Sequence, residues 1–259
     1  MPRLSQLSRS IAGRGALVTG AASGMGRATA HLFADEGAQV AVTDVGAEGV
    51  QRVVDEIRAA GGSARGWVMN VGDDAEVARV VPEIAAAFGR LDIVVNNAGI
   101  SRFAPIDHAD FVKNWNDSLS VLLTAHIRVI RAALAYLRKS DAGRIVNIAS
   151  TEALGATKYG SPYTAAKTGV VGLTRSLAVE LGPEGITVNC ICPGPIHTGM
   201  TQAIKDEHKA LFAKRRTALL RYGDPEEVAH GTLSFCLPAA RYITGAVLPV
   251  DGGLTIRNA

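Results

Sequence analysis

Short runs of apolar, β-branched residues recur along the chain, each bounded by Gly, Asn or Asp and each followed by a longer stretch with helical spacing. The pattern predicts strands at Ala16–Thr19, Gln39–Thr43, Gly66–Met69, Ile93–Asn96, Arg144–Ile148, Thr187–Ile191 and Ala246–Val250. These runs are nearly unbroken in apolar residues, which suits parallel strands covered by helices on both faces. Helices are expected to begin near Gly24, Ala47, Asp73, Asp107, Ser161 and Pro225, and an Asp or Ser at or just before several of these starts can cap free backbone N–H groups. Pro82 falls inside one helical pattern, where it removes a hydrogen bond and is expected to kink the helix. The β-α-β-α rhythm predicts an α/β fold with one doubly wound, parallel, seven-stranded sheet. No internal repeat or linker divides residues 1–259, so a single domain is expected.

The segment Thr198 to Leu220 interrupts the rhythm, being polar and Lys-rich and lying between a strand end and the helix start at Asp224–Pro225. Such folds bind ligands at the carboxyl ends of their strands, so the reading at about 198–220 is a mobile substrate lid, with an ordinary surface excursion as the alternative.

With 259 residues, 47% of them hydrophobic, the chain can bury a full core. Twenty-seven Lys and Arg against 24 Asp and Glu leave a formal charge of only +3, spread along the sequence, which argues against a nucleic-acid partner. Cys190, Cys192 and Cys236 have neither the spacing nor the His company of a zinc site; buried thiols in a reducing compartment are expected, and no metal. Met1 to Ser10 carries Arg3 and Arg9 without a signal peptide's apolar core, and no run reads as a membrane span of ~18 apolar residues. The expected location is the cytosol, with no membrane association.

The first strand runs into Thr19-Gly20-Ala21-Ala22-Ser23-Gly24-Met25-Gly26, and a helix follows. Glycines here let the backbone turn tightly and approach a pyrophosphate, while the helix N-terminus attracts its charge. About twenty residues on, Asp44 ends the second strand, where a carboxylate can bond both ribose hydroxyls of NAD and repel the extra phosphate of NADP. Ser23 and Val45, the residues positioned to meet that phosphate, are not basic. NAD is the expected cofactor.

These motifs, with NNAG at Asn96 to Gly99, Ser150, YTAAK at Tyr163 to Lys167 and PGPIHT at Pro193 to Thr198, stand in an order and spacing that resembles the short-chain dehydrogenase/reductase family over nearly the whole chain. The resemblance implies a Rossmann-type fold and NAD(P)-dependent oxidoreduction of a small alcohol or ketone. It implies that Asn70 and Val71 border the adenine and that Asn97, Ala98 and Gly99 line the nucleotide's path. Pro193 and Gly194 lead to Ile196 and Thr198, which it implies hold the nicotinamide carboxamide. The family has Asp at the Asn70 position; the Asn oxygen can still accept a bond from the adenine amine. A homotetramer is likewise implied, packed through the helices around Ser118–Tyr136 and Tyr163–Leu181.

Tyr163 and Lys167 are four residues apart in a helical stretch, which puts them on one face a turn apart. The ammonium is expected to lower the phenol's pKa, making Tyr163 the acid/base, and to hold the nicotinamide ribose. Ser150, at a strand end thirteen residues earlier, can bond the substrate oxygen. The resemblance implies that Thr151, Glu152, Ala153 and Leu154, with Phe103, His197 and the Met200 to Leu220 segment, line the substrate pocket, Glu152 either binding a hydroxyl or cation or pointing to solvent. His126 and His197 lack a Gly-x-Ser-x-Gly elbow and read as structural or solvated. Where the family has Asn in Val-Asn-Leu-x-Gly, this chain reads Val121-Leu122-Leu123-Thr124-Ala125. With Leu122 there, the proton path beyond the lysine must be rebuilt from backbone groups and waters or be less efficient. The leading function is interconversion of a secondary alcohol and a ketone with NAD(H). The alternatives are a 3-oxoacyl-thioester (acyl carrier protein) reductase, a sugar, polyol, steroid or cyclic-alcohol dehydrogenase, and a cofactor-binding protein with little turnover.

Overall fold

In the computed structural model, which describes residues 6–258, seven parallel strands form one sheet in the order β3-β2-β1-β4-β5-β6-β7. The strands are β1 (Gly15–Thr19), β2 (Gln39–Asp44), β3 (Ser63–Val68), β4 (Ile93–Asn96), β5 (Arg144–Ile148), β6 (Thr187–Pro193) and β7 (Val247–Val250). Arg3 of the arginine-bearing start lies outside the described residues. The strand order is that of a doubly wound fold. It reverses beside β1: the chain goes from β1 out through β2 to β3, then returns to lay β4 against the other side of β1. The carboxyl ends of β1 and β4 therefore open a crevice between diverging connections.

The apolar runs are continuous because alternate residues enter two different cores. Ala16 and Val18 of β1 pack with α1 (Gly24–Asp35), α2 (Ala47–Ala59) and α8 (Pro225–Cys236) on one face. Leu17 between them packs on the other face with α3 (Asp74–Phe88), α5 (Ala125–Leu137) and α6 (Ser161–Leu181). Each fully buried Val, Leu or Ile contributes roughly 1.5–3 kcal/mol relative to exposure. The edge strand β3 begins three residues earlier than its apolar run, because Ser63 and Arg65 are exposed yet pair with Gln39 and Ala41 of β2.

The helix expected near Asp107 begins later, as α4 (Phe111–Leu119), after a turn in which the His108 ring Nδ1 accepts from the Asp110 amide. A π-helical turn, Ser120–Thr124, joins α4 to α5. The resulting stretch Phe111–Leu137 is, contrary to the reading of the sequence, long and apolar enough by composition to cross a membrane. Its α5 portion buries Val129, Ile130, Ala133 and Leu137 in the core, and its outer side carries Arg128 paired with Asp74. That is the make-up of a core helix. The helix α3 runs unbroken through Pro82.

Candidate active site

The turn after β1 is built so that backbone meets backbone. Gly20 has φ of 64°, in the left-handed region, and a Cβ there would come within 2.7 Å of the Ala98 Cα. A Cβ on Gly26 would be 2.2 Å from the Gly20 carbonyl oxygen, so the first turn of α1 can fold down on the loop only with glycine there. The Asn97 side chain ties the arrangement together, donating to the carbonyls of Thr19 at 2.9 Å and Gly20 at 3.1 Å. Ser23 occupies the N-cap of α1 without a side-chain capping bond, and no acidic residue lies in the first turn. Among the described residues no side chain caps the first-turn amides of α1, a donor set that fits an anionic diphosphate.

Asp44, at the end of β2, accepts from the Ala22 amide at 3.1 Å and from the Val45 amide at 2.7 Å, which fixes its carboxylate beside the glycine turn. Arg52 on α2, which sequence reasoning did not single out, donates to the Ala22 carbonyl at 2.9 Å. Asn70 does not hold its oxygen wholly in reserve: Oδ1 accepts from the Gly72 amide at 2.9 Å, leaving one lone pair for another donor.

A cleft of about 540 Å³ runs from this turn across the carboxyl ends of the strands. Of the expected cofactor residues, Gly20, Ser23, Gly24, Met25, Asp44, Asn70, Val71, Asn97, Ala98, Gly99, Tyr163, Lys167 and Thr198 line it. Gly26, Pro193, Gly194 and Ile196 do not, and support its walls. A Cβ on Gly194 would strike the Asp251 Cα at 2.7 Å, and Ile196 is buried and bridged to Gly223.

Tyr163 and Lys167 project from the first two turns of α6, and Ser150 follows β5. Lys167 is buried; its Nζ donates to the Ile148 carbonyl at 2.7 Å and stands 5.8 Å from the Tyr163 ring centre. Burial pulls its pKa down to about 8. The expectation of a depressed phenol is not met. Burial pushes Tyr163 up, the neighbouring Ser150 hydroxyl opposes this by favouring the phenolate, and the Glu152 charge adds to the rise. Ser150 Oγ also accepts from the Glu152 amide. Glu152 is partly exposed and hydrogen-bonded within the protein. It accepts from the amide and hydroxyl of Thr157 and from the Thr164 hydroxyl, clamping the loop that leads to α6.

Phe103 stacks on Tyr163 with centres 5.9 Å apart, and its ring fills the place where Gly160 would carry a Cβ. Beyond the cleft, Thr198 starts a short 3-10 turn, and α7 (Asp206–Arg216) follows with exposed Leu211 and Phe212. Its far end is tied down where the amides of Ala218 and Leu219 donate to the Gly252 carbonyl. Leu122 lies in the π turn, fully buried, at the inner wall of the cleft. His197 leans on Tyr222 with ring centres 5.2 Å apart. Among the described residues no cluster of His, Cys, Asp and Glu suits a metal ion.

A family model described as Enoyl-(Acyl carrier protein) reductase matches residues 20–255. The chain is 41% identical over 250 residues to subunit BbsD of (2S)-[(R)-hydroxy(phenyl)methyl]succinyl-CoA dehydrogenase from Thauera aromatica, covering 95% of this chain and 98% of the relative. It is 37% identical over 250 residues to the 3-oxoacyl-[acyl-carrier-protein] reductase FabG of Thermotoga maritima, covering 95% and 99%. A crystal structure of a dehydrogenase/reductase from Sinorhizobium meliloti 1021 superposes with a TM-score of 0.89 at 39% identity, covering 95% of this chain and 97% of that one. The ordered motifs, the reversed sheet and these likenesses agree: the chain belongs to the short-chain dehydrogenase/reductase family, oxidoreductases that bind a nicotinamide cofactor.

Proposed function

We propose that this protein interconverts a secondary alcohol and a ketone using NAD(H), with Ser150, Tyr163 and Lys167 as catalytic residues. The observation that carries the reading is the joining of Tyr163 and Lys167 to the glycine turn and Asp44 in one cleft. The glycine turn and the first turn of α1 would hold the cofactor's diphosphate, Asp44 its adenosine ribose, and Lys167 the second ribose. When bound, the cofactor supplies or takes up the hydride. In oxidation, Tyr163 Oη takes the proton of the substrate hydroxyl as the carbonyl forms; in reduction it returns that proton. Ser150 holds the same oxygen. Because burial raises the phenol, proton donation is favoured at neutral pH and oxidation should accelerate as pH rises. The whole chain acts as one catalytic unit, with about 198–220 closing over substrate.

A second, finer reading concerns the substrate. Two relatives carry names that specify acyl thioesters, one of coenzyme A and one of acyl carrier protein, which favours a 3-hydroxyacyl or 3-oxoacyl thioester over a free polyol. The buried, unpaired cysteines suit the cytosol, and assembly is read as a homotetramer.

Initial rates with NAD and NADP across secondary alcohols, polyols and 3-hydroxyacyl-CoA esters test both readings. NAD should give the higher kcat/KM, because Asp44 meets the extra phosphate of NADP with like charge. Tyr163→Phe should lose about 10²–10⁴-fold in kcat while still binding NADH. Equal efficiency with both cofactors defeats the role of Asp44. Retained activity in the Phe variant defeats that of Tyr163, and absence of turnover across the panel favours a binding protein.

A further inference from the structure

Three charged side chains line the cleft, Asp44, Arg102 and Lys167. Two are committed: Asp44 accepts from the amides of Ala22 and Val45 beside the glycine turn, and Lys167 is buried with its ammonium on the Ile148 carbonyl. Arg102 is not. It is exposed on the loop that leaves β4, next to Phe103, whose ring stacks on Tyr163. Of the five N–H donors of its guanidinium, the described residues engage one, from Nη1 to the Ser101 carbonyl at 3.5 Å, the outer limit of a hydrogen bond, and no carboxylate pairs with it.

An arginine at a free loop tip would carry little meaning, but this one stands on a fixed base. Two residues on, Ala104 is buried and its amide donates to the Tyr159 carbonyl at 2.9 Å. Tyr159 has φ of 68°, in the left-handed region, a costly conformation for an aromatic residue that persists only where surrounding contacts impose it. The Phe103 ring lies 2.7 Å from where Gly160 would carry a Cβ. The loop after β4 and the loop before α6 are thus joined at two points immediately beside Tyr163. Lys158 on the second loop sets its ammonium over the Tyr159 ring, 4.7 Å from the centre, and likewise has no carboxylate among the described residues. The acid of that loop, Glu152, is taken up by Thr157 and Thr164. This rim therefore presents positive charge without an internal counter-charge, beside the exposed apolar surface of Phe103 and Met200.

We propose that Arg102 is a specificity residue that binds a carboxylate carried by the substrate close to its reacting carbon. The inference rests on the reading of Tyr163 as the acid/base, which marks where that carbon sits. A guanidinium presents parallel N–H donors that match the two oxygens of a carboxylate, and Arg102 gives up only a weak backbone contact in turning to one. The apolar body of such a substrate would lie against Phe103 and Met200. The phosphates of a coenzyme A or acyl carrier arm are many bonds beyond the thioester, whereas Arg102 is one residue from the ring that stacks on Tyr163. Nearness to the reacting carbon thus favours a carboxylate of the acyl part over a phosphate of its carrier.

The test uses pairs of alcohols that differ in charge alone: 3-hydroxyalkanoates and 3-hydroxy-3-phenylpropanoate, each beside its methyl ester, oxidised with NAD by the unmodified protein, Arg102→Met and Arg102→Lys. A parallel pair, the 3-hydroxybutyryl thioesters of coenzyme A and of N-acetylcysteamine, differs only in the carrier's phosphates. The unmodified protein should prefer the free acids, and Arg102→Met should lower the acid-to-ester ratio of kcat/KM about tenfold or more, chiefly through KM, with Arg102→Lys recovering part. Equal use of acid and ester by the unmodified protein, or a ratio unchanged in Arg102→Met, overturns the proposal. So does a preference for the coenzyme A thioester that disappears in Arg102→Met while the acid-to-ester ratio holds, since that places a carrier phosphate at Arg102. If nothing in the panel turns over, the reading of Tyr163 fails, and saturation-transfer NMR of 3-phenylpropanoate and 3-phenylpropanamide with the NAD-loaded protein decides this one: the acid should bind more tightly than the amide and lose that advantage in Arg102→Met, and equal binding overturns it.

Discussion

The two ends of the sheet bury ionisable groups in opposite ways. At the amino end, Asp92 is fully buried with both oxygens engaged: the Gly15 amide at 2.9 Å, Arg90 at 2.6 and 2.8 Å, and the Ser140 hydroxyl. Arg14 closes the cluster by pairing with Asp141. Burial alone would raise the Asp92 pKa, but these donors together hold it below the ordinary value. At the carboxyl end, Lys167 has one carbonyl and no carboxylate, and His126 has no protein partner among the described residues. The first end spends its polar groups on one another and locks three strand starts together. The second leaves donors and acceptors uncommitted, which lowers stability and is what a site needs in order to bind and move protons.

The comparison breaks most sharply under paired substitution. Asp92→Ala should destabilise the fold by about 3–5 kcal/mol, because it leaves the Gly15 amide and the Ser140 hydroxyl without their acceptor and removes the two-bond partner of Arg90. Lys167→Met should leave stability unchanged or raise it by up to about 3 kcal/mol at pH 7, since the desolvated charge disappears with only one hydrogen bond. Denaturant midpoints of both variants check the pair. Similar losses at the two positions would mean that the ends are built alike.

A smaller effect separates the ends by pH. His126 is neutral in the fold down to about 3, whereas in the unfolded chain it binds a proton near its ordinary value of 6.5. Between those values the unfolded state holds the extra proton, so stability is intact above about 6.5 and is lost progressively as pH falls. From pH 7 to pH 4 the loss from this residue is about 3 kcal/mol. Asp92, with its lowered pKa, contributes stability that fails only at more acidic pH. Melting temperatures across this range should therefore decline in the unmodified protein and be flatter in His126→Leu; parallel curves would assign the acid sensitivity elsewhere.

The same contrast explains what the sequence made legible. Strands covered on both faces announce themselves as apolar runs, so six of the seven were bounded within two residues. The start of β3 was missed by three because an edge strand pairs through backbone while exposing Ser63 and Arg65. The Tyr163–Lys167 pair is readable because helical spacing alone brings the two together. The pKa direction of Tyr163 was not readable, because it depends on burial and on the distance to Lys167 rather than on their order in the chain. Glu152 is open in the sequence between ligand and solvent; its partners, Thr157 in the loop before α6 and Thr164 on α6 itself, come beside it through a chain path that no local pattern encodes. His126 reads in the sequence only as structural or solvated, because the burial of a lone histidine on an apolar helix is decided by neighbours that other elements bring to it.

Leu122 offers the finest test of the uncommitted end. It is fully buried at the inner wall of the cleft, with its Cδ2 3.3 Å from where Gly99 would carry a Cβ, so the wall is closely packed. Leu122→Asn keeps the branched shape in a smaller side chain and adds a donor and an acceptor. If nothing answers them, burying the amide costs roughly 1–3 kcal/mol. If this end of the sheet does hold unspent polar capacity, the new carbonyl adds a second acceptor near Lys167, favouring the ammonium and moving the alkaline limb of kcat to higher pH. We expect a lower thermal midpoint together with that displaced limb. A less stable variant with an unchanged pH profile would instead mean that the π turn has packed Leu122 as ordinary core, and would end the idea that the residue limits catalysis while leaving the Tyr163 chemistry intact.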